Sequence, residues 1–128
     1  MLRSVAFTTV VGALTLIPRL APAQAAPPDS ARVEAARRVL QSDLRNFLTA
    51  QERYYADHRT YAGSLREMAS IYAPSRGATL ILLTSSDGGH SEVAIYEGIP
   101  GLVCATFAGS AQPPLGKGRE GEPVCNGP

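Results

Sequence analysis

A chain of 128 residues has room for one domain and no more than one modest hydrophobic core. Twelve basic residues against eleven acidic ones leave a formal net charge of +1, so the balance indicates neither a nucleic-acid nor an anionic-membrane partner. The two cysteines, Cys104 and Cys125, are too far apart for the C-x-x-C spacing of a redox motif.

Residues 1–25 have the three parts of a secretory signal peptide. Arg3 supplies the positive charge, Ser4–Ile17 runs without a charge, and Ala23-Gln24-Ala25 is an A-x-A cleavage signal. The uncharged run is shorter than the roughly 20 residues that a spanning helix needs. It is closed by Pro18 and Arg19. Cleavage after Ala25 removes Arg3 and Arg19 and no acid, which takes the formal charge from +1 to −1. Residues 26–128 are then expected to be periplasmic or secreted, with no stable membrane span. Retention of the signal as an anchor is the alternative. Outside the cytoplasm, an even pair of cysteines points to a disulfide between Cys104 and Cys125. Closing that loop is worth about 3 kcal/mol in the chain-entropy model.

A long helix is predicted over 29–57. Asp29 or Ser30 supplies a short side-chain oxygen for its first N–H groups. Apolar residues then recur at Val33, Ala36, Leu40, Leu44, Phe47, Leu48, Tyr54 and Tyr55, in steps that fit a 3.6-residue period. Glu34, Arg38, Arg45, Glu52 and Arg53 fall on the other side, and Glu34 stands one turn before Arg38. Neither glycine nor proline interrupts residues 29–62. Ser64-Leu65-Arg66-Glu67 matches a capping box and opens a short helix over 64–70, which Tyr72-Ala73-Pro74-Ser75 ends.

Beyond Gly77 the helical period is lost. Ala78–Thr84, Glu92–Glu97 and Leu102–Ala108 read as strands, separated by turn residues at Asp87-Gly88-Gly89 and Gly98–Gly101. Together they predict an antiparallel sheet of three or four strands over 78–108. A glycine- and proline-rich tail over 109–128 would be tethered to it by the disulfide. The predicted fold class is α+β, one long helix packed on one small antiparallel meander.

The helix end Leu44–Asp57 contains Ala50-Gln51-Glu52-Arg53-Tyr54-Tyr55, and Tyr61 and Leu65 follow a turn later. That segment, the meander and the C-terminal cysteine pair resemble the globular half of type IV pilins and pseudopilins over about residues 40–128. The resemblance implies a non-enzymatic interaction module associated with a pilus or a type II secretion-like assembly. Met1–Ala50 lacks the prepilin peptidase site and the apolar first half of the pilin helix. The alternative is a soluble extracytoplasmic module for a small ligand or the envelope that shares only the fold.

Phe47, Tyr54, Tyr55 and Tyr61 are expected to form an aromatic cluster that packs the helix end onto the sheet. Ser85, Ser86, Asp87 and His90 carry the groups of a nucleophilic site but occupy a hairpin tip, where a solvated turn is expected. Asp57, His58, His90 and Glu92 are metal-ligand types without ligand spacing. No catalytic, cofactor or metal residue is therefore assigned, and the chain is read as a non-enzyme. The many arginines, interleaved with Glu34, Asp43 and Glu52, read as a solvated face. Val33 to Tyr55 spans roughly 33 Å of helix, whereas a sheet of this size is under about 20 Å wide. Either Val33, Ala36 and Leu40 project beyond the sheet or something else covers them, and this half of the helix is expected to contact a protein partner or a second copy.

Overall fold

The computed structural model describes residues 29–128. The expected signal over 1–25, its cleavage site and the leader to Pro28 lie outside the described residues.

Helix α1 runs over Ser30–His58. Of the two capping candidates it is Asp29 that acts, its carboxylate accepting from Ala31 N at 3.1 Å. The helix stops at Arg59, which takes the left-handed conformation (φ 60°, ψ 20°) and donates its N–H to Tyr55 O at 2.8 Å. The surface pair on the first turns is Glu34 with Arg37 (3.2 Å), one residue earlier than the Glu34–Arg38 spacing suggested.

The predicted short helix is a single 3₁₀ turn, η1, over Leu65–Met68. Ser64 Oγ accepts from Glu67 N (3.4 Å), as a capping box requires. The reciprocal bond is displaced: the Glu67 carboxylate accepts from Gly63 N at 2.7 Å instead.

Four strands follow: β1 Ala78–Ser85, β2 Gly89–Tyr96, β3 Val103–Gly109 and β4 Val124–Asn126. They form one antiparallel sheet in the order β1-β2-β3-β4. β2 begins earlier than the sequence suggested, so His90 and Ser91 belong to the strand and not to the hairpin tip. β4 lies inside the predicted tail, and Cys104 and Cys125 are register partners joined by the disulfide. The 109–128 segment is further tied back by Gly121 N to Phe107 O (2.9 Å) and Gly109 N to the Glu120 carboxylate (2.6 Å).

The register fixes which residues face α1. Leu80 pairs with Ala94 and Ala94 with Cys104; Leu82 pairs with Glu92 and Glu92 with Thr106; His90 pairs with Ala108. These residues form the inner face, where Leu80, Ala94, Cys104 and Ala108 meet Val33, Leu40, Leu44 and Phe47 of the helix in or beside one core. Val93 and Ile95 therefore point outward. Small inner residues on β2 and β3 let the bulky helix stripe approach the sheet closely.

The alternative in which Val33, Ala36 and Leu40 project beyond the sheet is corrected by this packing. They are 5%, 3% and 0% exposed. The helix does not cross the strands but runs along them. Its first turn lies at the β2–β3 turn, where a Cβ on Gly98 would sit 2.8 Å from Arg32 Nη2. The residues just after its end reach the β1–β2 hairpin, where Tyr61 N donates to Ser86 O at 3.3 Å. The relevant dimension is thus strand length, about 26 Å for eight residues. That matches the roughly 27 Å of helix from Val33 to Gln51. Ile99 and Leu102 of the β2–β3 turn join the same core and extend the cover. The end of the stripe that outruns the sheet is the other one, at half-buried Tyr54 and Tyr55.

Candidate functional site

Where α1 passes over the start of β2, the core becomes polar. His90 and Glu92, two residues apart on one strand, both point toward the helix because strand side chains alternate. Neither side chain has any exposure, and His90 Nδ1 lies 2.8 Å from Glu92 Oε2. Phe47 packs edge-on against the imidazole (centroids 5.9 Å apart), and Tyr61 does the same at 4.6 Å. Tyr72 in turn sits edge-on to Phe47 at 5.2 Å. Burial pushes the Glu92 carboxyl up, and the hydrogen bond and charge of His90 pull it back only in part. Burial also raises the Tyr72 phenol, helped by the negative charges of Asp43 and Glu92. Among the described residues, His90 Nε2, Glu92 Oε1, Thr106 Oγ1 and Tyr72 OH have no hydrogen-bond partner.

Two further buried polar groups hold the loop after α1 in place. Gln51 is fully buried; its Nε2 donates to Ala62 O (3.1 Å) and its Oε1 accepts from Ala62 N (2.8 Å). Asp43, read from the sequence as part of a solvated charged face, is only 3% exposed. It accepts from Ser75 N at 2.8 Å and Ser75 Oγ at 2.7 Å, which fixes the approach to β1. Burial of a carboxylate is tolerated here because both oxygens are hydrogen-bonded.

The aromatic cluster is only partly the one expected. Phe47 and Tyr61 meet through His90, and Tyr55 tilts against Tyr61 at 4.8 Å. Tyr54 leaves the group and stacks on His58 instead, with ring centroids 3.9 Å apart. Tyr61 OH donates to Glu52 Oε1 at 3.0 Å, and its pKa is pushed up to about 12 by burial first and that carboxylate second.

The hairpin groups do not assemble into a nucleophilic site. Ser86 Oγ donates to Gly89 O (3.4 Å) and accepts from Gly88 N (3.1 Å), whereas the His90 imidazole is turned into the core toward Glu92. The expected solvated turn holds for Ser86 and Asp87 and fails for His90, since β2 starts at Gly89. His58 is exposed at the end of α1, so His58 and His90 are not brought together. Among the described residues no three His, Cys, Asp or Glu side chains converge as a metal site. Nor is any described helix long and apolar enough to cross a membrane.

The outer sheet face is the other notable surface. Ile81, Leu83 and Ile95 are 43%, 50% and 41% exposed, while Val93, Val103 and Phe107 beside them are half-buried. Toward the hairpin this face opens into a shallow depression of about 330 Å³, lined by Thr84, Ser85, Ser86, Ser91, Ser110 and Gln112. No known protein-family model matches this chain, and no curated protein matches it.

Proposed function

We propose that this chain is an exported, non-enzymatic, pilin-like interaction module that works through the outer face of its sheet. The observation that carries the reading is the division of the sheet into two apolar faces. The inner face is consumed by α1, and the outer face leaves Ile81, Leu83 and Ile95 open. Large apolar side chains grouped on one exposed face fit a docking surface better than a catalytic one. The element order adds support. A long helix, a four-stranded meander and a C-terminal disulfide follow one another as in pilin heads. The interacting region is thereby moved from the buried Val33, Ala36 and Leu40 to the opposite side of the sheet.

Fractionation of the native cells, with mass spectrometry of the mature N-terminus, tests the proposal. Recovery of a chain that begins at Ala26 in the periplasm or in surface-associated assemblies is the expected result. Recovery in the cytoplasm with residues 1–25 intact would overturn it. The depression beside Ser86 and Ser91 favours a second reading, a small-ligand module recognising neutral hydroxyl-rich compounds. Its uncharged, hydroxyl- and amide-bearing lining both donates and accepts. A ligand screen that shifts the melting temperature would favour that reading.

A further inference from the structure

Strand β1 is the open edge of the sheet. It is eight residues long, ATLILLTS, and contains no charge, proline or glycine. Among the described residues, Thr79–Ser85 make no backbone hydrogen bond outside the ladder with β2. The opposite edge is guarded differently, because β4 is only three residues long. A long, neutral, apolar edge is a template for pairing with another strand, and proteins usually block such edges with charge or proline. The one irregularity in β1 is a bulge between Leu82 and Thr84, where Leu83 is extruded and half exposed.

We propose that β1 pairs antiparallel with β1 of a second copy, about a two-fold axis through Ile81, giving one continuous eight-stranded sheet. The pairing uses the edge of the sheet, goes beyond the docking assigned above to its outer face, and leaves that face open. An antiparallel pair related by a two-fold axis is centred on a single residue, so both copies keep their helices on the same side. With the axis at Ile81, Leu80 faces Leu82 of the second copy. Thr79 faces the bulged Leu83–Thr84 position and Ala78 faces Ser85, so no charge meets a like charge along the strand. Beyond the strand the chain turns at both ends, at Ser75–Ala78 and at Ser86–Gly89, and the two-fold axis sets the turn that carries Arg76 beside the turn that carries Asp87 of the second copy. Arg76 and Asp87 are both exposed, and neither takes part in an ion pair among the described residues. The edge is thus self-complementary at its apolar centre and oppositely charged at its two ends. The exposed Ile81 and Ile95 of the two copies would become one uninterrupted apolar band on the outer face.

Sedimentation of the purified full chain across a range of concentrations tests the pairing, with three variants alongside the parent. The parent is expected to form a concentration-dependent dimer. Ile81→Lys places two ammonium groups on the axis and should weaken the dimer on the order of a hundredfold. Ile81 is already 43% exposed, so the monomer should keep its circular dichroism spectrum and melting temperature. Asp87→Arg should weaken it about tenfold, and the double charge swap Arg76→Asp with Asp87→Arg should restore it. A parent that stays monomeric at millimolar concentration overturns the proposal. So does a dimer indifferent to Ile81→Lys, or a swap that fails to restore what Asp87→Arg removed. The two proposals fail separately. A dimer through β1 from a chain found in the cytoplasm would refute the exported module and leave the pairing standing. A monomer recovered in surface assemblies would do the reverse.

Discussion

His90 and Glu92 are joined at 2.8 Å with neither side chain reaching solvent. Two ionisable groups on a strand of a small domain are thereby sealed beneath a helix. Burial alone raises the carboxyl, which means that the folded state binds that proton more tightly than the unfolded chain does. A raised folded pKa contributes stability that is complete below the unfolded value, near 4.5, and is lost as pH rises through the folded value. Glu92→Gln removes this titration and keeps an acceptor for His90. The stability difference between Glu92→Gln and the parent, from urea titrations at pH 4 to 8, should therefore move in favour of the variant as pH rises. A difference that stays constant with pH would show that Glu92 does not titrate in this way.

Glu92→Ala differs from Glu92→Gln in leaving His90 Nδ1 without a partner inside the core. Leaving a buried polar nitrogen unsatisfied costs about 1–3 kcal/mol, and the space vacated by the truncated side chain adds to that. On a domain whose total stability is on the order of 5–15 kcal/mol, the sum is a large share. Chemical denaturation should show a midpoint far below that of Glu92→Gln. Equal midpoints would mean that the pair is energetically idle.

Gln51 satisfies both backbone groups of Ala62 at once and does so with no exposure. Gln51→Leu fills similar space but orphans a buried N–H and a buried C=O, at about 1–3 kcal/mol for each unsatisfied group. The variant should lose roughly 2–6 kcal/mol on that basis and release the Arg59–Ser64 loop. Hydrogen exchange at the Ala62 amide reads this directly, because its protection should collapse in the variant.

Reduction of Cys104–Cys125 frees β4, whose ladder with β3 has only three register pairs, the bridged one included. Replacing both cysteines by serine should cost about 3 kcal/mol through the unfolded chain. Buried Cys104 leaves a polar hydroxyl in the core, so the measured loss should be somewhat larger. A melting temperature unchanged by reductant would show that β4 holds without its bridge.

Arg59 is the only non-glycine residue with positive φ among the described residues. Its left-handed conformation closes α1, and a Cβ there carries a steric cost of roughly 1–2 kcal/mol. Glycine removes that cost but adds freedom to the unfolded chain, so Arg59→Gly should stabilise by a few tenths to about 1 kcal/mol. A small rise in melting temperature is the expected reading, and a fall would show that the Arg59 side chain contributes more than its backbone costs.

Much of the fold is legible in the chain without coordinates. The apolar period from Val33 to Tyr55, the cap at Asp29 and the turn residues between strands are local signals. They locate the helix and the meander to within a few residues. The Cys104–Cys125 pair follows from counting and from the expected export. What the chain could not reveal locally was which face of each strand looks inward. Val93 and Ile95 are the apolar members of their strand, yet His90, Glu92 and Ala94 face the helix. Register across three strands decides this, and no residue pattern within β2 carries that information. Likewise, Val33, Ala36 and Leu40 are covered because α1 lies along the strands and the β2–β3 turn closes over its start. Periodicity is set by a residue's immediate neighbours and can be read in one dimension. Helix direction, strand register and the burial of Asp43, His90 and Glu92 depend on contacts between residues tens of positions apart, which only the folded chain brings together.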